Sequence, residues 1–137
     1  MKMLLLRRSI AIAAALAPLA PWPHSALATE CAGRGTQTEL NLCEGANFKQ
    51  ADDQLNAAYA KLLKKVSAAG QSKLRDAQKS WIKYRDAQCA FETLGTIGGS
   101  IHGMMVSQCL TDLTEQQTKR LQRQMNCQEG DVSCGGQ

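Results

Sequence analysis

Residues 81–89 read Trp-Ile-Lys-Tyr-Arg-Asp-Ala-Gln-Cys, placing two aromatics, an Arg-Asp pair and a cysteine within nine positions. An arginine among aromatics presents a planar fork that suits a carboxylate, and such a pair fixes the register of packed elements more readily than it performs chemistry. Arg85 is therefore expected to pair across the fold with an acid such as Glu39 or Asp52, with Trp81 and Tyr84 as core and boundary side chains. The stretch from Gly95 to Gly103 is a better candidate for contact with a partner, because glycines let main-chain groups approach closely. Gly98, Gly99, Ser100, Ile101 and His102 are its proposed binding residues, able to offer side-chain and main-chain groups to a partner. The same residues also have a plainer use, with Gly98-Gly99 making a turn and Ser100 capping the helix that follows.

A catalytic set does not assemble from these residues. Ser100 and His102 have no evident third member, and His102 is the only histidine beyond residue 28, so a multi-histidine metal site is not available. Asp52 and Asp53 are adjacent and point to different helix faces, while Glu39, Glu44 and Asp86 read as caps, surface groups or ion-pair partners. The reading is of a non-enzyme with no catalytic residue, no metal and no cofactor.

Three helices are needed to position these groups. Thr36-Gln37-Thr38-Glu39 has the form of a capping box and starts a first helix near residue 37. Leu40, Phe48, Ala51, Leu55, Ala58, Tyr59, Leu62, Leu63 and Val66 mark its apolar face, Lys64 and Lys65 suit its negative end, and Gly70 is the expected stop. Ser72 is expected to cap a second helix carrying Leu74, Ala77, Gln78, Trp81, Ile82, Arg85 and Cys89 on one side, ended by Gly95 and Gly98-Gly99-Ser100. A third helix then places Met105, Val106, Cys109, Leu110, Leu113, Leu121 and Met125 on one face. Short connections make this an all-α, antiparallel three-helix bundle.

The first 28 residues combine Lys2, Arg7 and Arg8 with an apolar run and end in Ser25-Ala26-Leu27-Ala28, the pattern of a signal peptide cut after Ala28. The expected protein is periplasmic or secreted. Glu30 before Cys31 does not suit a lipid-attachment signal, and no later stretch is apolar enough to span a membrane. Residues 29–137 hold 13 basic against 12 acidic side chains, which argues against nucleic acid as the partner. All six cysteines lie in this part and none forms a C-x-x-C pair, so three structural disulfides are expected. Six cysteines allow about 15 pairings. The simplest joins neighbours, Cys31-Cys43, Cys89-Cys109 and Cys127-Cys134, although antiparallel first and second helices could also bring Cys43 to Cys89. The domain reading is a helical domain over 29–126 and a bridge-pinned tail over 127–137.

Beyond these patterns, an ordered series of residues is similar to the LprI-type lysozyme inhibitor family. It comprises Cys31, Thr38-Glu39-Leu40-Asn41-Leu42-Cys43, Ala51-Asp52, Leu55-Asn56-Ala57-Ala58-Tyr59, Ala77-Gln78, Trp81 to Asp86, Cys89, Gly98-Gly99-Ser100 and Cys109. Asp52, Asn56, Tyr59, Trp81, Tyr84, Arg85 and Asp86 are its structural motif residues in this chain. The resemblance implies an exported helical domain that binds a protein, lysozyme or a related muramidase, and inhibits it by blocking its cleft. An immunity or accessory protein for another envelope enzyme is the alternative, with a peptidoglycan-acting hydrolase behind it.

Overall fold

A computed structural model describes residues 31–33, 35–128, 130–132 and 134. The signal-peptide reading lies outside them. Helix α1 spans Gln37–Lys65, α2 spans Ala68–Glu92 and α3 spans His102–Met125, with a single 3₁₀ turn at Leu94–Thr96. No strand occurs among the described residues. Consecutive helices run in opposite directions, so α1 and α3 lie parallel, as Glu44 meeting Gln108 and Lys65 meeting the Met125 carbonyl require. The protein is an all-α, disulfide-stapled three-helix bundle.

The start of α1 is the capping box: the Thr36 hydroxyl accepts from the Glu39 amide at 3.2 Å, and the Glu39 carboxylate accepts from the Thr36 amide at 2.8 Å. The boundary between α1 and α2 differs from the sequence expectation. Val66 turns to extended backbone and Ser67 caps α2, its hydroxyl accepting from the Gly70 amide at 3.2 Å. Gly70 therefore lies in the first turn of α2 instead of ending α1, and Ser72 lies inside the helix. A good N-cap three residues earlier outcompetes a glycine that has no left-handed position to fill.

The apolar core is small and lies toward the α1–α2 turn: Leu55, Ala58, Leu62, Val66 and Leu121 are buried, with Tyr59, Leu74, Trp81 and Met125 packed around them. Along α3 the innermost stripe is Thr111, Thr114, Thr118 and Leu121, opposite Asn47, Ala51, Leu55, Ala58 and Leu62 of α1. The predicted face of Met105, Val106, Cys109, Leu110, Leu113 and Met125 is only half-buried. Threonine is admitted to the interior because Thr111 and Thr118 return their hydroxyl protons to the carbonyls four residues back, at 2.8 and 2.9 Å. These short side chains allow α1 and α3 to pack closely along most of their length, whereas α2 touches the pair more sparsely.

Three bridges join Cys31 to Cys43, Cys89 to Cys109 and Cys127 to Cys134. The first holds the segment before α1 against its second turn, the second ties the end of α2 to α3, and the third closes the tail. A bridge over a loop of a dozen or so residues contributes about 3 kcal/mol in the chain-entropy picture, which matters beside so small a core.

Candidate protein-binding surface

Arg85 is buried at the centre of the bundle, where it joins all three helices. Its Nη1 donates to Asp52 Oδ1 of α1 at 3.2 Å and to Thr114 Oγ1 of α3 at 3.3 Å, and its Nε donates to Asp86 Oδ1 at 2.9 Å. The guanidinium carbon stands 5.3 Å from the ring centres of both Phe48 and Trp81, a separation at which a cation is attracted to a ring face. Asp52 is held in turn by Asn56 Nδ2 at 3.0 Å. Asp52, Asn56, Trp81, Arg85 and Asp86 thus form one interhelical clamp, Tyr59 packs on the core beneath it, and Tyr84 stands outside it at 54% exposure. Glu39 belongs to the α1 cap instead of to Arg85. The guanidinium is buried while the Asp52 and Asp86 side chains stay 38% and 57% exposed, so the clamp ties the surface of α1 and α2 to the interior and serves as scaffold.

The residues with free reach lie at the end of the bundle where α2 gives way to α3. Thr93 closes α2, its hydroxyl donating to the Cys89 carbonyl at 2.7 Å. The 3₁₀ turn follows, and then Gly98 at φ +83°, in the left-handed region that glycine occupies without a Cβ penalty. Gly99 admits the Thr96 carbonyl, which would lie 3.2 Å from an added Cβ. His102 is turned toward the loop interior, with Nδ1 2.8 Å from Thr96 Oγ1. Because that hydroxyl donates its only proton to the Thr93 carbonyl at 2.7 Å, the network places a proton on Nδ1. His102 is thus a buttress of the turn and is not paired with Ser100.

Ser100 does not supply the cap of α3, which has no side-chain cap of its own. Asn41 of α1 takes that role from across the bundle: its Oδ1 accepts from the Met104 amide at 3.1 Å and its Nδ2 donates to the Ser100 carbonyl at 3.0 Å. Gln37 Nε2 steadies the Asn41 amide at 2.9 Å. The loop is consequently fixed at three places: the Cys89–Cys109 bridge at its base, the His102–Thr96 contact inside it and the Asn41 cap on its return.

What this frame holds outward is apolar. Phe91, Leu94 and Ile97 are 74%, 62% and 65% exposed, and Ile101 stands beside them at 39%. Sequence reasoning centred on the glycines and missed Phe91, Leu94 and Ile97. Their exposure depends on where α2 ends, and a run of apolar residues at a helix end looks the same whether buried or not. Between α1 and α3 lies a hollow of about 560 Å³ whose walls include Glu44, Asp112 and Glu115. Elsewhere on α1, Lys49 is held above the usual lysine range by its hydrogen bond and charge contact with Asp53.

These features define a small all-α, disulfide-stapled protein with a braced loop at one end and exposed apolar side chains around it. The chain belongs to the lysozyme inhibitor LprI family, whose profile matches residues 28–121. It is also similar to an uncharacterised protein of Rhizobium meliloti (strain 1021), 31% identical over 113 residues that cover 73% of this chain and 81% of the relative. No solved structure matches the chain.

Proposed function

We propose that the protein is exported and inhibits a lysozyme or related muramidase by docking its loop end, residues 91–102, against the enzyme's cleft. The observation that carries this reading, beyond family membership, is the exposed set Phe91, Leu94, Ile97 and Ile101 on a loop already held in one shape. Isolated apolar side chains on a surface need no explanation, but four exposed ones between Phe91 and Ile101, from the end of α2 to the start of α3, can supply the anchors a complex requires. Pre-ordering removes part of the entropy cost of binding. Glu44, Asp112 and Glu115, around a hollow between α1 and α3, add local negative charge on one side of the bundle, suited to guiding a basic enzyme even though the charge of residues 29–137 is almost balanced. The protein acts here as a stoichiometric binder, and none of its own residues carries out a reaction. The test is the clearing of a bacterial cell-wall suspension by several lysozyme types, with and without the oxidised protein. Dose-dependent inhibition of at least one type at micromolar protein is expected, and full activity of every type at micromolar excess would refute the reading.

A further inference from the structure

The opposite end of the bundle carries a second concave feature. Between the first turns of α2 and the last turns of α3, above the end of α1, a groove of about 640 Å³ is floored and walled by Leu62, Val66, Leu74, Ala77, Trp81 and Leu121. That volume falls in the range of small-molecule sites. Lys73 of α2 and Arg120 of α3 stand on its two walls, exposed and without an ion-pair partner among the described residues. No described acidic residue lines the groove. Gln117 Nε2 donates to Gln78 Oε1 at 3.4 Å, drawing α3 and α2 together toward the middle of the bundle.

We infer that this groove binds a single-chain anionic amphiphile, its hydrocarbon chain lying along the apolar floor and its carboxylate or phosphate head between Lys73 and Arg120. The length of the groove and its apolar lining suit a hydrocarbon chain. From Ala69 to Trp81 the α2 wall runs about 18 Å at 1.5 Å per residue, a length along which a single extended hydrocarbon chain can lie on the apolar floor. An extended peptide is poorly served, because helical walls have already paired most of their backbone groups. A hydrocarbon chain needs no such partners, and the two cations select the sign of the head group. This site is independent of the loop end and of the lysozyme reading.

The experiment is calorimetric titration of the oxidised protein with three twelve-carbon probes below their micelle concentrations: laurate, lauroyl-lysophosphatidylglycerol and dodecyltrimethylammonium. Saturable one-to-one binding of an anionic probe is expected, about tenfold or more tighter than that of the cationic one. Tighter laurate identifies a carboxylate ligand, and tighter lysolipid a phosphate ligand. The double variant Lys73→Glu/Arg120→Glu should reverse the preference for charge. Ala77→Phe, at an exposed position on the wall, should weaken binding of all probes by about tenfold while helicity is unchanged. No saturable binding of either anion, equal affinity for the cation, or binding indifferent to Ala77→Phe would overturn the proposal.

Discussion

Arg85 brings a charge into the interior and has Asp52, Asp86, Thr114 and two ring faces around it. Truncating it would take a hydrogen-bond partner from the buried Thr114 hydroxyl and leave a void, so Arg85→Ala should lower unfolding free energy by about 3 kcal/mol. Arg85→Lys should recover only part of this, because an ammonium cannot reproduce the planar fork. Urea denaturation measures both, and a change below about 0.5 kcal/mol in the alanine variant, the range of ordinary surface substitutions, would contradict the clamp. Asn41→Ala should remove the cap of α3 at a cost of about 1 kcal/mol and speed amide exchange at Met104. Unchanged exchange there would deny Asn41 that role. The two residues differ in legibility. An arginine between aromatics announces a carboxylate partner, and Asp52 was among the named candidates. Asn41 sits in an unremarkable helical position, and its partners Ser100 and Met104 are some sixty residues away.

Among the elements, the start of α1 was readable because a capping box is local, complete within Thr36 to Glu39. The α1–α2 junction was misread because Ser67 and Ser72 are equivalent as sequence signals, and only the packing of Val66 into the core selects the earlier one. The threonine stripe of α3 escaped a hydrophobicity pattern for a similar reason: a buried hydroxyl satisfied by its own helix is indistinguishable from an exposed one. The glycine-rich connection was recognisable as a loop, but its bracing by Thr96 and Asn41 was not. This bracing makes the two glycines unequal. Gly98→Ala, forced to φ +83°, should destabilise by about 1 kcal/mol, whereas Gly95→Ala, with open space around it, should be close to neutral. Thermal unfolding of the two variants checks this, and equal effects would show that the loop is not held as described.

Taken as a whole, the molecule separates support from contact. The clamp, the close α1–α3 packing and the Cys89–Cys109 bridge brace the bundle, and Phe91, Leu94 and Ile97 are exposed at the end where α2 gives way to α3. Opening the Cys89–Cys109 bridge in a Cys89→Ala/Cys109→Ala variant should leave the helices formed but weaken target binding, because the loop must then be ordered on contact. The most direct test of the account compares inhibition of a susceptible lysozyme by the parent with that by Ile97→Asp and by the groove variant Ala77→Phe, each verified as folded. The account predicts that Ile97→Asp raises the inhibitor concentration needed by about tenfold or more, as loss of an anchor residue does, and that Ala77→Phe leaves it unchanged. Equal inhibition by the parent and Ile97→Asp would place the contact surface elsewhere and contradict the loop-end mechanism.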